Sequence, residues 1–471
     1  MPEPDADPSP TPDAPQEDPR LNWQRKSVFG MGDFTVNTVL SSMSIVYVTF
    51  FLTSVAGLRP ELAGAVQLIG RSIDAFTDPA MGRISDLCRW KLGRRRPFFL
   101  LGALPLGITY ALLWADLPIE SQRSMFLYYT TIYSLMSLAL TTLSVPYLAL
   151  QPEMALGYDA RTSLNVYRNA GSIIGVFAAV AFRPVANALG GGPEGFAAAG
   201  VVFGVMLALP WLFVFFATWE RPEFQSRASE LSFRDGAKLV MQHGTFRRLT
   251  GMYLCGRVSM DLVGAMLILY FTHWLGRSSD FELMMIVFMG SVLLWLPFWL
   301  KFSEHSEKAT SFIIGTGIWF VGQLVFLVAQ PNWSPWVVLV FAPVVAFGYA
   351  VVDLMPWSML GEVVDEDDLA SGERREGVYN GFFMFLRKLA GTIAVFLALT
   401  LLGALGFVEG DGEQPERAVH AIRVLTSVGP AVFLALSITF AIGYPLTRQR
   451  HAEIRAQLEA RDAGRQTAHE G

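Results

Sequence analysis

The sequence predicts an all-α membrane protein, with twelve transmembrane helices arranged as two six-helix bundles. Three observations carry that prediction. The 471 residues are 52% hydrophobic, only 16% are charged, and the mean hydropathy is +0.39, whereas a soluble domain carries about 25% charge. Twelve apolar stretches each reach the roughly 20 residues that a helix needs to cross a bilayer. One long polar segment, 219–248, parts them six and six.

Residues 1–26 begin with a proline-rich run that holds six acids in its first twenty positions and shows no apolar period. A disordered acidic tail is expected there. No basic run leads into an early apolar core, so no signal peptide is expected. The N-terminal bundle, 27–218, holds spans at 28–56, 62–86, 97–117, 124–150, 163–189 and 195–218. Asp33 and Asn37 stand one turn apart early in span 1: Asn37 is placed deeper, facing a cavity, and Asp33 as a cap or pair near the cytoplasm. Span 2 is one of the two most polar and carries Arg71, Asp74 and Asp78. Span 4 ends in "SVPYLALQPEM", Ser144–Met154, and span 5 carries Arg168.

The segment 219–248 reads as a cytoplasmic middle loop. The C-terminal bundle, 249–447, holds spans at 249–275, 282–302, 309–329, 335–361, 377–406 and 421–446. Span 7 carries Asp261, with His273 read as interfacial near its end, and span 10 carries Asp353. Either acid has a basic neighbour to pair with, Arg257 or Lys388, and their roles stay open. Span 10 ends in "LMPWSMLGEVV", Leu354–Val364, and span 11 carries Lys388. Residues 448–471 read as a charged cytoplasmic tail. Spans 4 and 10 thus both end in Pro-aromatic followed by an acid, and each precedes a span with a cation. Such parallel repeats are how secondary transporters build alternating access around a midplane site.

Arginine and lysine gather after spans 2, 6 and 10 and in the C-terminal tail, and are sparse after the odd spans. Both termini are therefore expected in the cytoplasm, with the protein in the inner cell membrane. Without its tail the body is nearly neutral, so no nucleic-acid partner is expected. The six histidines form no ligand pattern and no GxxxxGK[ST] occurs, so neither an enzyme, an ATP-driven pump nor a resident cofactor is expected. Cys88 and Cys255 read as inert thiols.

The charges of span 2 need company. A charge at the centre of a spanning helix costs about 2.5–3.5 kcal/mol, which forbids a lipid-facing position. Arg71, Asp74 and Asp78 fall within about 60° of one face. Asp74 and Asp78 are an i,i+4 pair with Cβ atoms about 5–6 Å apart, and two carboxylates at that distance do not both ionise cheaply. A proton, a metal cation or Arg71 must sit with them. Oxygen ligands suit a hard cation such as Na⁺, with Thr77 adding a hydroxyl; a static ion-pair network is the alternative. At the helix end, Gly82 and Asp86 with Arg94, Arg95 and Arg96 read as a cytoplasmic gate that opens and closes, the alternative being a plain positive-inside anchor.

"DAFTDPAMGRISD" followed by "GRRRP" resembles the major facilitator superfamily, and more narrowly the glycoside–pentoside–hexuronide:cation symporters, the melibiose permease family. "VPYLALQPEM", "YDARTSLNVYR", "MPWSMLGEVVDEDD" and "GERREGVYNGFFMFLRKLAG" extend the resemblance over nearly all of 23–447. It implies the major facilitator fold, a cation site at Asp74 and Asp78, a span 11 lysine tied to that site at Lys388, and a sugar-side arginine at Arg168. Where galactoside carriers of the family hold an aspartate in span 1 and an aspartate and a tryptophan in span 4, this chain has Asn37, Ser144 and Leu148. These three, with Arg168, are expected to line the substrate cavity, and a melibiose-type galactoside is disfavoured. The expected function is Na⁺- or H⁺-coupled symport of a glycoside-like or other small organic solute by a monomer in the lipid bilayer. A lysolipid or other amphiphile symporter is the main alternative; proton-driven efflux and a non-transporting scaffold come after it.

Overall fold

The computed structural model describes residues 20–43, 47–155, 158–220, 233–373, 375–410 and 413–470. The expected acidic tail before residue 20 and the centre of the expected middle loop, 221–232, lie outside the described residues. Among the described residues the long helices are α1 (Trp23–Ser41), α2 (Pro60–Leu87), α3 (Pro97–Leu113), α4 (Gln122–Met154), α5 (Tyr158–Ala188), α6 (Gly192–Ala217), α7 (Gly244–Leu269), α8 (Asp280–His305), α9 (Lys308–Val328), α10 (Pro335–Ser371), α11 (Glu376–Ala404) and α12 (Glu416–Ala441). Their starts follow local chemistry. Asn22 accepts the Arg25 amide at 3.0 Å and caps α1. Proline opens α2, α3 and α10 at a position where a missing N–H costs nothing.

Nine of the described helices, α4 to α12, contain a stretch long and apolar enough to cross a membrane. α2 is not among them, because its charges interrupt the apolar run, whereas α11 is. α10 differs from the sequence expectation at its end: it continues past 361 to Ser371 before Gly372, at φ 77°, ends it.

The two halves repeat the same packing. α1 packs on α5, α2 on α4 and α3 on α6; in the second half α7 packs on α11, α8 on α10 and α9 on α12. Between the halves α2 meets α11, and α8 meets α5. The halves share a further detail: a wide i→i+5 turn, Phe51–Val55 in the first and Tyr270–Trp274 in the second, each followed by a left-handed glycine, Gly57 or Gly276.

The halves are joined at the end away from the arginine-rich loops. Arg183 of α5 donates to Glu282 of α8 and to the Ser278 carbonyl, both at 3.1 Å. The Gly410 amide donates to the Thr53 carbonyl at 3.0 Å. Toward the arginine-rich end Ile84 and Leu87 of α2 are exposed, and nothing packs against Gly377 and Gly381 of α11.

The extended end of α10 is an acidic hub. Glu362 pairs with Lys308 at 2.6 Å, Asp365 with His451 at 3.1 Å, Glu366 with His243 at 3.3 Å and Asp368 with Arg461 at 2.8 Å. The segment expected as loop contains a helix, Phe233–Gln242, and the segment expected as tail is helical over Arg448–Glu470. The latter seats Ile454 and Leu458 in the core of the second half.

Candidate functional site

The carboxylates of α2 meet α11 and α4 midway along the bundle. Lys388 Nζ lies 2.6 Å from Asp74 Oδ2 and 2.5 Å from Asp78 Oδ2. Thr141 Oγ1 lies 2.7 Å from Asp74 Oδ1 and 2.8 Å from Asp78 Oδ1. Two anions therefore share one ammonium and one hydroxyl. A hydroxyl has a single proton to give. The second Thr141 contact is a hydrogen bond only when the other carboxyl carries a proton. The set, four carboxylate oxygens and a hydroxyl, has the chemistry of a hard-cation site, and here the lysine ammonium is held by two of those oxygens. Among the described residues no group of three or more His, Cys, Asp or Glu side chains is gathered as for a tightly held metal.

Thr77 is not the hydroxyl of this group. It turns back to the Asp74 carbonyl at 3.3 Å, leaving the role to Thr141. The reason is helical register: Thr77 lies on the α2 face rotated about 80° from the direction midway between the two acids and bonds along its own helix. Arg71, one turn before Asp74, stands beside the buried Tyr133 phenol.

A second charged group joins α1, α4 and α5. Arg168 Nε and Nη2 lie 2.5 and 3.1 Å from the two oxygens of Asp33. Tyr147 donates its phenol proton to Asp33 at 2.6 Å, and Arg168 also donates to Gln151. Of the two roles expected for Asp33, cap or pair, the structure shows the pair: Asp33 is buried as the counter-ion of Arg168, whose charge is thereby matched within the protein. Asn37 is half-buried and donates to the Asp33 carbonyl at 2.9 Å.

Between these two groups runs one stripe of α4. Thr141, Ser144, Leu148 and Gln151 fall within about 80° of one another on the helix. The stripe starts at the acid pair and ends at Arg168. Ser144 is partly exposed on it and Leu148 is 47% exposed.

At the arginine-rich end, Arg95 pairs with Asp86 at 2.7 Å and with Glu153 at 2.5 Å, and Arg94 pairs with Glu153. The backbone amides of Arg94, Arg95 and Arg96 all donate to the Glu220 carboxylate at 2.7–2.9 Å. Arg96 stacks over Phe215 and donates to its carbonyl. The cluster thus ties α2, α4 and α6 together within one half. Gly82 faces Val145 with room to spare: a methyl group in place of its hydrogen would stand 3.7 Å from the valine side chain, an ordinary contact. Sequence reasoning missed Glu153 and Glu220; the acid at the end of "VPYLALQPEM" was the available signal.

In the second half Arg257 donates to Asp261 at 2.8 Å, an i,i+4 pair on α7. Asp353 on α10 has one carboxylate oxygen buried with no hydrogen-bond partner among the described residues. Beyond them α7 to α10 enclose an apolar cavity lined by Met260, Tyr270, Phe288, Trp319, Phe341 and Tyr349.

Known proteins resemble this chain over nearly its whole length. The family described as MFS/sugar transport protein matches residues 28–448. An uncharacterized symporter of Synechocystis, sll1374, is 28% identical, with 94% of this chain and 97% of that one covered. The sodium-dependent lysophosphatidylcholine symporter 1-A of Danio rerio is 25% identical, with 88% and 84% covered. A bacterial homolog of the human lysosomal transporter Spinster, solved inward-facing and unoccupied, has the same fold with a TM-score of 0.66 at 13% identity, covering 94% of this chain and 98% of that one.

Proposed function

The chain belongs to the MFS/sugar transport protein family, and on that premise we propose that it is a cation-coupled symporter that moves a small organic solute across the inner cell membrane by alternating access. The observation that carries this reading is the pair Asp74 and Asp78 of one half held by Lys388 of the other. With the arginine-rich loops in the cytoplasm, the open end faces inward and the bonds of Arg183 close the outside. Both termini are then cytoplasmic, and each monomer carries a full set of parts.

The lysine competes with the coupling ion, Na⁺ or H⁺, for the same oxygens. In the empty carrier it offsets one of the two negative charges, since an uncompensated buried charge costs about 3–5 kcal/mol. Ion binding displaces it, and the solute enters beside the α4 stripe. Asn37, Ser144 and Leu148 offer hydrogen bonds and apolar contact there, while Arg168 shapes the site through Gln151 and Tyr147. A ligand shifts the carrier only as far as it binds one state better than the other; the ion and solute together favour closure between the halves.

A lysolipid or other amphiphile is the second reading. Two observations favour it: the apolar cavity of the second half and the name of the Danio rerio relative. The test is purified protein in sealed vesicles, with an imposed Na⁺ or H⁺ gradient and labelled glycosides or lysophosphatidylcholine. Accumulation that follows one ion gradient is expected. Equal uptake with and without either gradient overturns coupled symport.

A further inference from the structure

The stretch "RNAGSI", Arg168–Ile173, in α5 matches "KLAGTI", Lys388–Ile393, in α11. Each begins with the base of its helix and places a glycine three residues later. In the first half that glycine brings α5 against α1: a methyl group on Gly171 would collide with the Gly30 carbonyl oxygen. The close approach lets Arg168 reach Asp33 on α1. In the second half Gly391 of α11 faces α7, and what lies against it is not backbone but the side chain of an acid. A methyl group on Gly391 would collide with Asp261 Oδ2. The second half therefore has the base, the glycine and the acid that form an ion pair in the first half. Yet Lys388 reaches across to α2, and Asp261 is held by Arg257 of its own helix.

We propose that Asp261 is the second seat of Lys388: when the coupling ion takes Asp74 and Asp78, the ammonium swings past Gly391 to Asp261, and Arg257 passes to Asp353. This rests on the reading that the Asp74–Asp78 pair binds that ion. Gly391 is about 4.5 Å further along the helix than Lys388, within reach of the four-carbon stem of a lysine. Asp353 is close enough to act on Arg257, and its buried oxygen has no partner among the described residues. The move turns a bond between the halves into a bond within one half. Ion binding thereby unfastens α11 from α2 and repeats the Asp33–Arg168 arrangement, leaving no buried ammonium stranded.

A double-mutant cycle on the purified full chain tests this, reading Na⁺ and proton affinity from the rise of Tm with ion concentration. Asp261→Asn is expected to weaken ion affinity about tenfold when Lys388 is present, and less than about twofold in the Lys388→Ala background. Equal losses in both backgrounds, or no loss in either, overturn the second seat. Where Asp261→Asn does not fold, Gly391→Ala, whose methyl group displaces the carboxylate, takes its place with the same expectations. A wild-type protein whose Tm responds to neither ion sinks the carboxylate-pair reading and the second seat together. A response that is lost in Asp78→Asn, with an additive cycle, leaves the pair standing and removes the second seat alone.

Discussion

Arg168 and Asp33 form a two-point ion pair between α5 and α1, with Tyr147 donating to the same carboxylate. The pair, with Asp33 buried, lies at the end of the α4 stripe along which the solute is proposed to enter. Asp33→Asn should strand the guanidinium, at about 3–5 kcal/mol for a broken buried pair, and lower Tm and yield together. Joining it to Arg168→Gln should restore most of the Tm without restoring transport. A single variant as stable as wild type would show that the guanidinium finds another acceptor.

Asp78→Asn removes one of two acids that share one ammonium and one hydroxyl. Gradient-driven accumulation should fall to background. Solute binding, followed by tryptophan fluorescence or calorimetry, should survive, because neutralising the acid mimics ion occupancy. Undiminished accumulation would remove Asp78 from the ion site.

Lys388→Ala takes away the competitor of the ion and the tether between α11 and α2. Expected are tighter Na⁺ or proton binding, by tenfold or more on the order of one lost charge contact, and loss of coupled transport with normal insertion. Wild-type transport and unchanged ion affinity would make the lysine a packing residue.

The arginine-rich cluster divides into an exposed and a buried partner. Asp86 is about a third exposed, whereas Glu153 is 2% exposed and serves two arginines. Glu153→Gln should therefore destabilise the first half by more than Asp86→Ala, which leaves Arg95 its bond to Glu153. Asp86→Ala should instead change labelling of cavity cysteines by an impermeant thiol reagent. An identical labelling pattern would reduce Asp86 to an anchor.

Ser144→Trp fills the α4 stripe midway between the two charged groups. Solute binding should be lost while the ion-induced rise in Tm is kept. Intact solute affinity would place the cavity away from this face of α4.

The acids of α2 were legible in the sequence because a charge inside an apolar helix has few explanations. The fold was legible because twelve apolar runs and one polar divider leave little choice. Thr141 was not, since a neutral hydroxyl in a spanning helix is common and carries no excess cost to mark it. Nor was the Asp33 partnership, which joins residues 135 positions apart; depth along a single helix cannot show which neighbour a side chain meets. Asp365, Glu366, Asp367 and Asp368 close the apolar run of span 10, yet α10 continues through them because a helix is not obliged to stop where the bilayer does. The Arg448–Glu470 helix was hidden by composition: its buried face rests on isolated apolar residues such as Ile454 and Leu458, too sparse to show through the surrounding charge.

The acidic hub at the end of α10 makes the last helix a pointer fixed to one half. His451 and Arg461 bolt it to Asp365 and Asp368, and Ile454 and Leu458 key it into the core. A spectroscopic label on exposed Arg455 rides with that half, and one on exposed Trp90 rides with the other. The separation of the two labels is then a direct gauge of rocking, taken from outside the bilayer with the solute path left empty of probes.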